Sequence, residues 1–261
     1  MKKHILSALL LSLCTGSVLA QNYYENAEPP QDEAAEALRR TRFGVFVAPS
    51  VSWMKPTTEK DGNLKQKSDG SKIGFIYGIM GDYNFTDNYA IATGLQINST
   101  GGKISTSNQT PAPPAGTVLQ SSFNYAIQYL EIPVTLKLRT DEINRFRFFG
   151  QAGITLGFNI SKKATWDITQ ATASGDTVIK TDTKEKITGK VGSIAPVVFQ
   201  MTLGAGAEYR MNRKLDGYIG LFFNNGFAPD ITRPDNFSKT PGFKDGNVRL
   251  NNFSLRLGFY F

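Results

Sequence analysis

From Phe43 onward apolar side chains recur at every second position, the period of a β-strand. In a first segment Phe43, Val45, Val47, Val51 and Trp53 share one face, opposite Gly44, Ala48, Ser50 and Ser52. Ile73, Phe75, Tyr77, Ile79, Tyr83 and Phe85 repeat the pattern in a second segment, and Tyr89, Ile91, Leu95 and Ile97 in a third. A fourth has Phe123, Tyr125, Ile127 and Tyr129 at odd positions, then Leu130, Ile132, Val134, Leu136 and Leu138 at even ones. One extra residue flips the facing of everything after it, so this change of phase implies a β-bulge near Tyr129. The fifth carries Phe146, Phe148, Ile154, Leu156, Phe158 and Ile160, and the sixth Phe199 to Tyr209. A seventh, Leu215 to Asn224, is less regular because Phe222 and Phe223 are adjacent, and the eighth runs from Phe253 to Phe261.

The links between these segments alternate strictly: 56–71 long, 86–88 short, 100–120 long, 140–144 short, 161–195 long, 212–214 short, 225–247 long. An outer-membrane barrel needs this arrangement, with tight periplasmic turns and extended outer loops. The expectation is an all-β fold, an eight-stranded antiparallel transmembrane barrel over 43–261, with both termini in the periplasm. No apolar run after the N-terminus approaches the ~20 residues of a membrane helix, which does not bear on a barrel.

Which face points inward decides between a membrane barrel and a soluble one. One face is nearly pure aliphatic and aromatic; the other is small and polar, with Glu131, Lys137, Arg147, Glu208, Arg210 and Arg256 among its members. A soluble lipocalin-like carrier would have to bury the apolar face in a lumen with little room for so many rings. In a membrane that face meets lipid, and the six charged residues form a network filling the lumen instead of lining an open pore. Since two acids cannot balance four bases, water, Asp82 or the acidic N-terminal segment must contribute. Phe43, Tyr83, Phe85, Tyr89, Phe146, Tyr209, Phe259 and Phe261 fall at the short-turn ends, as an interfacial girdle would.

The first twenty residues read as a signal peptide: Lys2 and Lys3, an apolar run from Ile5 to Leu13, then Val18-Leu19-Ala20 before a cut between Ala20 and Gln21. The competing lipoprotein site at Cys14 has Leu13 where a small residue is needed. Residues 21–42 form a periplasmic segment, helical or disordered. Cleavage removes Cys14 and His4, the sole Cys and His, and takes the formal charge from +7 to +5 as Lys2 and Lys3 leave. Disulfides and metal or haem sites built on Cys or His are then excluded, and no cofactor is expected. The remaining basic residues are scattered without an aromatic-basic platform, which argues against nucleic acid.

Barrel hydrolases and acyltransferases rely on a His to activate a hydroxyl or water, so that route is closed to the mature chain. Asp230 and Asp235 in the last outer loop have no partner base in the pattern. Gly204-x-Gly206 lies mid-strand with no helix after it, unlike a phosphate loop. Lys162, Lys163, Lys180, Lys184, Lys186 and Lys190 lie in a polar hairpin extension, where lipopolysaccharide phosphates are one partner and solvent the other.

Phe253, Leu255, Leu257, Phe259 and Phe261, ending on an aromatic, resemble the C-terminal signal that the barrel-assembly machinery recognises in bacterial outer-membrane proteins. Tyr129-Leu130-Glu131-Ile132-Pro133-Val134 with Lys137, and Gly204-Ala205-Gly206-Ala207-Glu208-Tyr209, resemble segments of the outer-membrane β-barrel domain family of Bacteroidota, which includes PorT-like proteins. The resemblance implies a Gram-negative cell envelope and a protein without enzymatic activity, acting structurally or through its outer loops. Its PorT-like members are linked to secretion, which makes a secretion or uptake assembly the alternative. The implied partners are outer-membrane lipid and lipopolysaccharide, the barrel-assembly machinery and a secretion-system component.

Overall fold

The computed structural model describes residues 40–111, 114–115, 117–172, 175–179, 185–186, 193–212, 214–232 and 247–261. The signal peptide, its cut between Ala20 and Gln21, and nearly all of segment 21–42 lie outside them, as do Lys180, Lys184, Lys190 and Asp235. Arg42–Phe261 forms one unit.

Eight long strands carry that unit: β1 Thr41–Pro56, β2 Leu64–Asn84, β3 Tyr89–Asn108, β4 Val118–Arg139, β5 Phe146–Thr172, β6 Val197–Arg210, β7 Asp216–Gly226 and β8 Val248–Tyr260. Each pairs with its sequence neighbours, and β8 returns to β1 with Val45 opposite Phe259 and Val51 opposite Phe253. The last backbone amide joins the closure, Phe261 N donating to Phe43 O at 2.8 Å. The result is a closed eight-stranded antiparallel barrel. Closure leaves no long edge unpaired, a requirement for backbone in hydrocarbon.

The apolar face points outward. Val45, Val47, Phe75, Ile79, Leu95, Val134, Ile154, Leu203, Leu221 and Leu257 are all exposed, while Ser50, Ser52, Gln96, Thr155, Thr202 and Ser254 are buried inside. Such a surface is stable only in a lipid-like surrounding, so the soluble lipocalin-like alternative does not hold. The 11 residues from Phe43 to Trp53, tilted by roughly 45° at ~3.3 Å each, rise about 25 Å, the height of an outer-membrane apolar band. All eight girdle aromatics named above are exposed, at the end where the turns are short.

Three expectations need correction. The first concerns Tyr129. β4 does not change phase: every odd position from Ser121 to Arg139 is buried. The register slips on the neighbouring strand, where Gln128 faces Ser161 but Tyr129 faces Asn159, so the extra residue is Ile160. What inverts near Tyr129 is the surroundings. Toward the short turns the outside of β4 is apolar, with Val134, Leu136 and Leu138; beyond Leu130 it carries Gln128 and Asn124, and the rings Phe123 and Tyr125 turn inward. There the strand has left hydrocarbon for water, and the barrel continues as a soluble one does, apolar inside.

The second correction follows from the first. The long links are shorter than their polarity suggests, because the strands run on past the apolar belt: β2 starts at Leu64, not after 71, and β3 ends at Asn108, not before 100. Past the belt β5 pairs with Gly175–Ile179, the polar hairpin, and with Glu185–Lys186. Third, β1 begins at Thr41, so Arg42 belongs to the barrel and not to the preceding segment.

Candidate functional site

The lumen is filled in three tiers. The one nearest the short turns is ionic. Lys137, fully buried, sits against Asp82 at 3.0 Å and is also paired with Glu208. Three rings enclose it, with its Nζ 4.7 Å from the centres of Phe149 and Tyr260 and 5.1 Å from that of Tyr218. Arg42 donates to Asp82 at 2.8 Å, Glu208 at 3.0 Å and Asp216 at 3.1 Å, with its guanidinium 4.4 Å from the Tyr260 ring. Arg139 donates to Asp82 at 2.9 Å, and the Tyr260 hydroxyl to Asp82 Oδ1 at 3.1 Å. Three bases (Arg42, Lys137, Arg139) meet three acids (Asp82, Glu208, Asp216), so the tier is neutral. Neutrality and direct pairing are what let charges persist away from bulk water.

A polar tier follows. Glu131 is fully buried and accepts from Gln96 Nε2 at 2.5 Å and Asn98 Nδ2 at 2.8 Å. The Thr155 and Thr202 hydroxyls meet at 2.6 Å, and Asn224 donates to Asn252 at 3.2 Å. Arg256 is held between Phe222, 4.0 Å from its guanidinium, and Phe46 at 5.0 Å. The cavity beside Arg256, Thr202 and Tyr218 measures about 20 Å³, room for roughly one water. A larger hollow of about 590 Å³ is on the outward side, between Leu136, Leu203, Leu221 and Phe253, where lipid would fill it.

The third tier, beyond the belt, is apolar: Met54, Ile104, Phe123, Tyr125, Ile127 and Leu250 are buried there in one cluster. Ile231 caps it, pairing with Val248 on one side and Ile194 on the other.

Of the six charged residues that the pattern assigned to the lumen, Glu131, Lys137, Glu208 and Arg256 lie inside. Arg147 and Arg210 do not: they sit half-open at the short-turn rim, both against Glu142, Arg210 at 2.6 Å and Arg147 at 3.7 Å. A charge at the end of a strand reaches water and leaves the lumen. Pattern reading missed Arg42 and Arg139 entirely. Arg139 has the parity of Lys137, and Arg42 that of Gly44, so the signal existed but fell at strand ends.

Asp230 lies outside the apolar belt, in the link between β7 and β8, and is buried. Its Oδ2 accepts from Leu250 N at 2.6 Å, its backbone N–H donates to Val248 O and its carbonyl accepts from Ala195 N, both at 2.9 Å. Burial pushes its pKa up to about 7, and the negative charge of Glu131 adds to the shift. The folded barrel therefore holds this proton more tightly than the unfolded chain, whose carboxyl titrates near 3.8. Stability from this group is full below about 4 and falls as the pH rises to about 7. Asp230→Asn keeps an acceptor for Leu250 and removes the ionisation. Urea midpoints at pH 5 and pH 8 should lie closer together in that variant than in the parent, the variant being the more stable at pH 8.

The profile of a family described as "Outer membrane protein beta-barrel domain" matches residues 20–229, most of the chain. The chain belongs to that family. It is therefore an outer-membrane β-barrel protein. Solved structures similar to it include neisserial surface protein A, at 11% identity over 84% of this chain and 95% of that one, TM-score 0.37. Ail of Yersinia pestis, in complex with sucrose octasulfate, is 12% identical over 84% of this chain and 99% of that one, TM-score 0.32. OprG of Pseudomonas aeruginosa is 11% identical over 84% and 93%, TM-score 0.34. No curated protein matches the sequence.

Proposed function

We propose that this is a non-conducting, non-enzymatic barrel that acts as a structural element of the outer membrane and through the end bearing the long links. The observation that carries this is the occupied lumen: ion pairs at one end, hydrogen-bonded amides and hydroxyls in the middle, packed rings at the other. Arg42, Lys137, Arg139, Asp82, Glu208 and Asp216 are engaged with one another in the ionic tier, which supports the non-enzymatic reading. The alternation of short and long links supports placing the short turns, and both ends of the barrel domain, in the periplasm. Assembly through the strand from Phe253 to Phe261 and contact with lipopolysaccharide at the far end belong to the same reading. A PorT-like secretion role rests only on the resemblance of the Tyr129–Val134 and Gly204–Tyr209 segments. Purified protein reconstituted into planar bilayers should give little conductance; stable large channels would overturn the filled-lumen account.

A further inference from the structure

The seam where β8 closes on β1 carries an unusual outward pair. Lys55 lies directly opposite Arg249, both are exposed, and neither has a carboxylate partner among the described residues. Like charges facing each other across strands repel. Elsewhere beyond the belt the half-buried Lys103 has Asp69 at 3.2 Å. At the seam no acid serves.

Immediately below, the outer rim of the apolar belt holds three rings in mutual contact. Trp53 lies 5.6 Å from Phe253 and 6.3 Å from Phe223, and Phe223 lies 4.8 Å from Phe253. Lys55 is the next outward position after Trp53, about 7 Å further along the strand. That places a double positive charge at headgroup height, over rings at the acyl boundary.

The geometry points to a site for the phosphorylated sugar headgroup of an outer-leaflet glycolipid of the lipid A type. Lys55 and Arg249 take the phosphate, and the three rings pack on the acyl chains. The phosphate removes the repulsion and gains charge-assisted hydrogen bonds, for which the fork of Arg249 is well shaped. A phosphate monoester carries roughly −1.5 to −2 charges against the single charge of a phospholipid diester, so the paired cations favour it over phosphatidylglycerol. This inference rests on the long-link end facing outward.

Native mass spectrometry from nanodiscs tests it. The parent should retain one diphosphorylated lipid A through detergent exchange, in preference to phosphatidylglycerol and to dephosphorylated lipid A. Lys55→Gln with Arg249→Gln should cut retention at least tenfold, while Lys65→Gln with Lys67→Gln, both exposed beyond the belt, should leave it unchanged. Equal retention by the seam variant, or equal retention of phosphatidylglycerol, would overturn the proposal. The heat-modifiable band on gels reports folding; should the double variant lose it, each single substitution gives the same readout. Nanodiscs offer lipid to both leaflets, so the outcome stands apart from orientation and from the conductance test.

Discussion

Lys137→Met is expected to destabilise the barrel by about 3–5 kcal/mol, the cost of stranding buried charges. Lys137 is the cation that both Asp82 and Glu208 share, and three rings exclude water around it. Without it, Arg42 and Arg139 remain, two bases against three acids counting Asp216. The side chain that replaces it is apolar and of similar length, so packing alone accounts for little of the loss. Urea unfolding in detergent gives the magnitude. Adding Asp82→Asn to Lys137→Met removes one stranded acid and should recover part of the loss, a coupling that independent sites do not show. A neutral Lys137→Met would mean that the ionic tier is dispensable to folding.

The second large effect tests the level at which the strands leave the membrane. Val134 points outward at mid-belt on β4, and Asn124 points outward on the same strand beyond the belt. Val134→Arg should cost about 2–4 kcal/mol, as basic residues do at the bilayer midplane. Asn124→Arg should change stability by no more than about 0.5 kcal/mol, as at other watery surfaces. Folding titrations into lipid vesicles measure both. Equal costs would contradict the inversion seen near Tyr129.

That inversion explains what the sequence could and could not convey. Period-two alternation reports which residues share a face, and it located all eight strands. It does not report which way the face points. At Tyr129 a bulge and a passage from hydrocarbon to water leave the same trace, because each moves the apolar residues from odd to even positions. The neighbouring strand's slip at Ile160 shows that a bulge exists, but it lies on the partner. Link lengths failed for a related reason. Beyond the belt the outward side of a strand meets water, and the buried apolar residues inside are interspersed with Gln66, Ser105, Thr106 and Ser121, so these stretches read as loop.

The lumen network was legible where alternation was clean. Glu131, Lys137 and Glu208 fall on the inward face by parity and lie there. Arg147 and Arg210 share that parity yet open to the rim, since parity carries no depth. Arg42 was invisible because it precedes the first apolar residue of its strand, and Tyr218 because Gly217 and Gly220 interrupt the pattern around it. Charge balance was a partial guide: Asp82 does join Lys137 inside, while Asp216 answers Arg42, and Glu142 meets Arg147 and Arg210 at the rim.

The central claim is that β4 turns one face to lipid below Tyr129 and to water above it while its inward face stays continuous. A nitroxide scan from Gln120 to Leu138 in reconstituted vesicles measures this directly, by collision with oxygen and with a water-soluble nickel chelate. Even positions from Leu130 to Leu138 should favour oxygen, even positions from Gln120 to Gln128 the chelate, and odd positions neither. Oxygen contact moving to odd positions above Tyr129 would contradict the account.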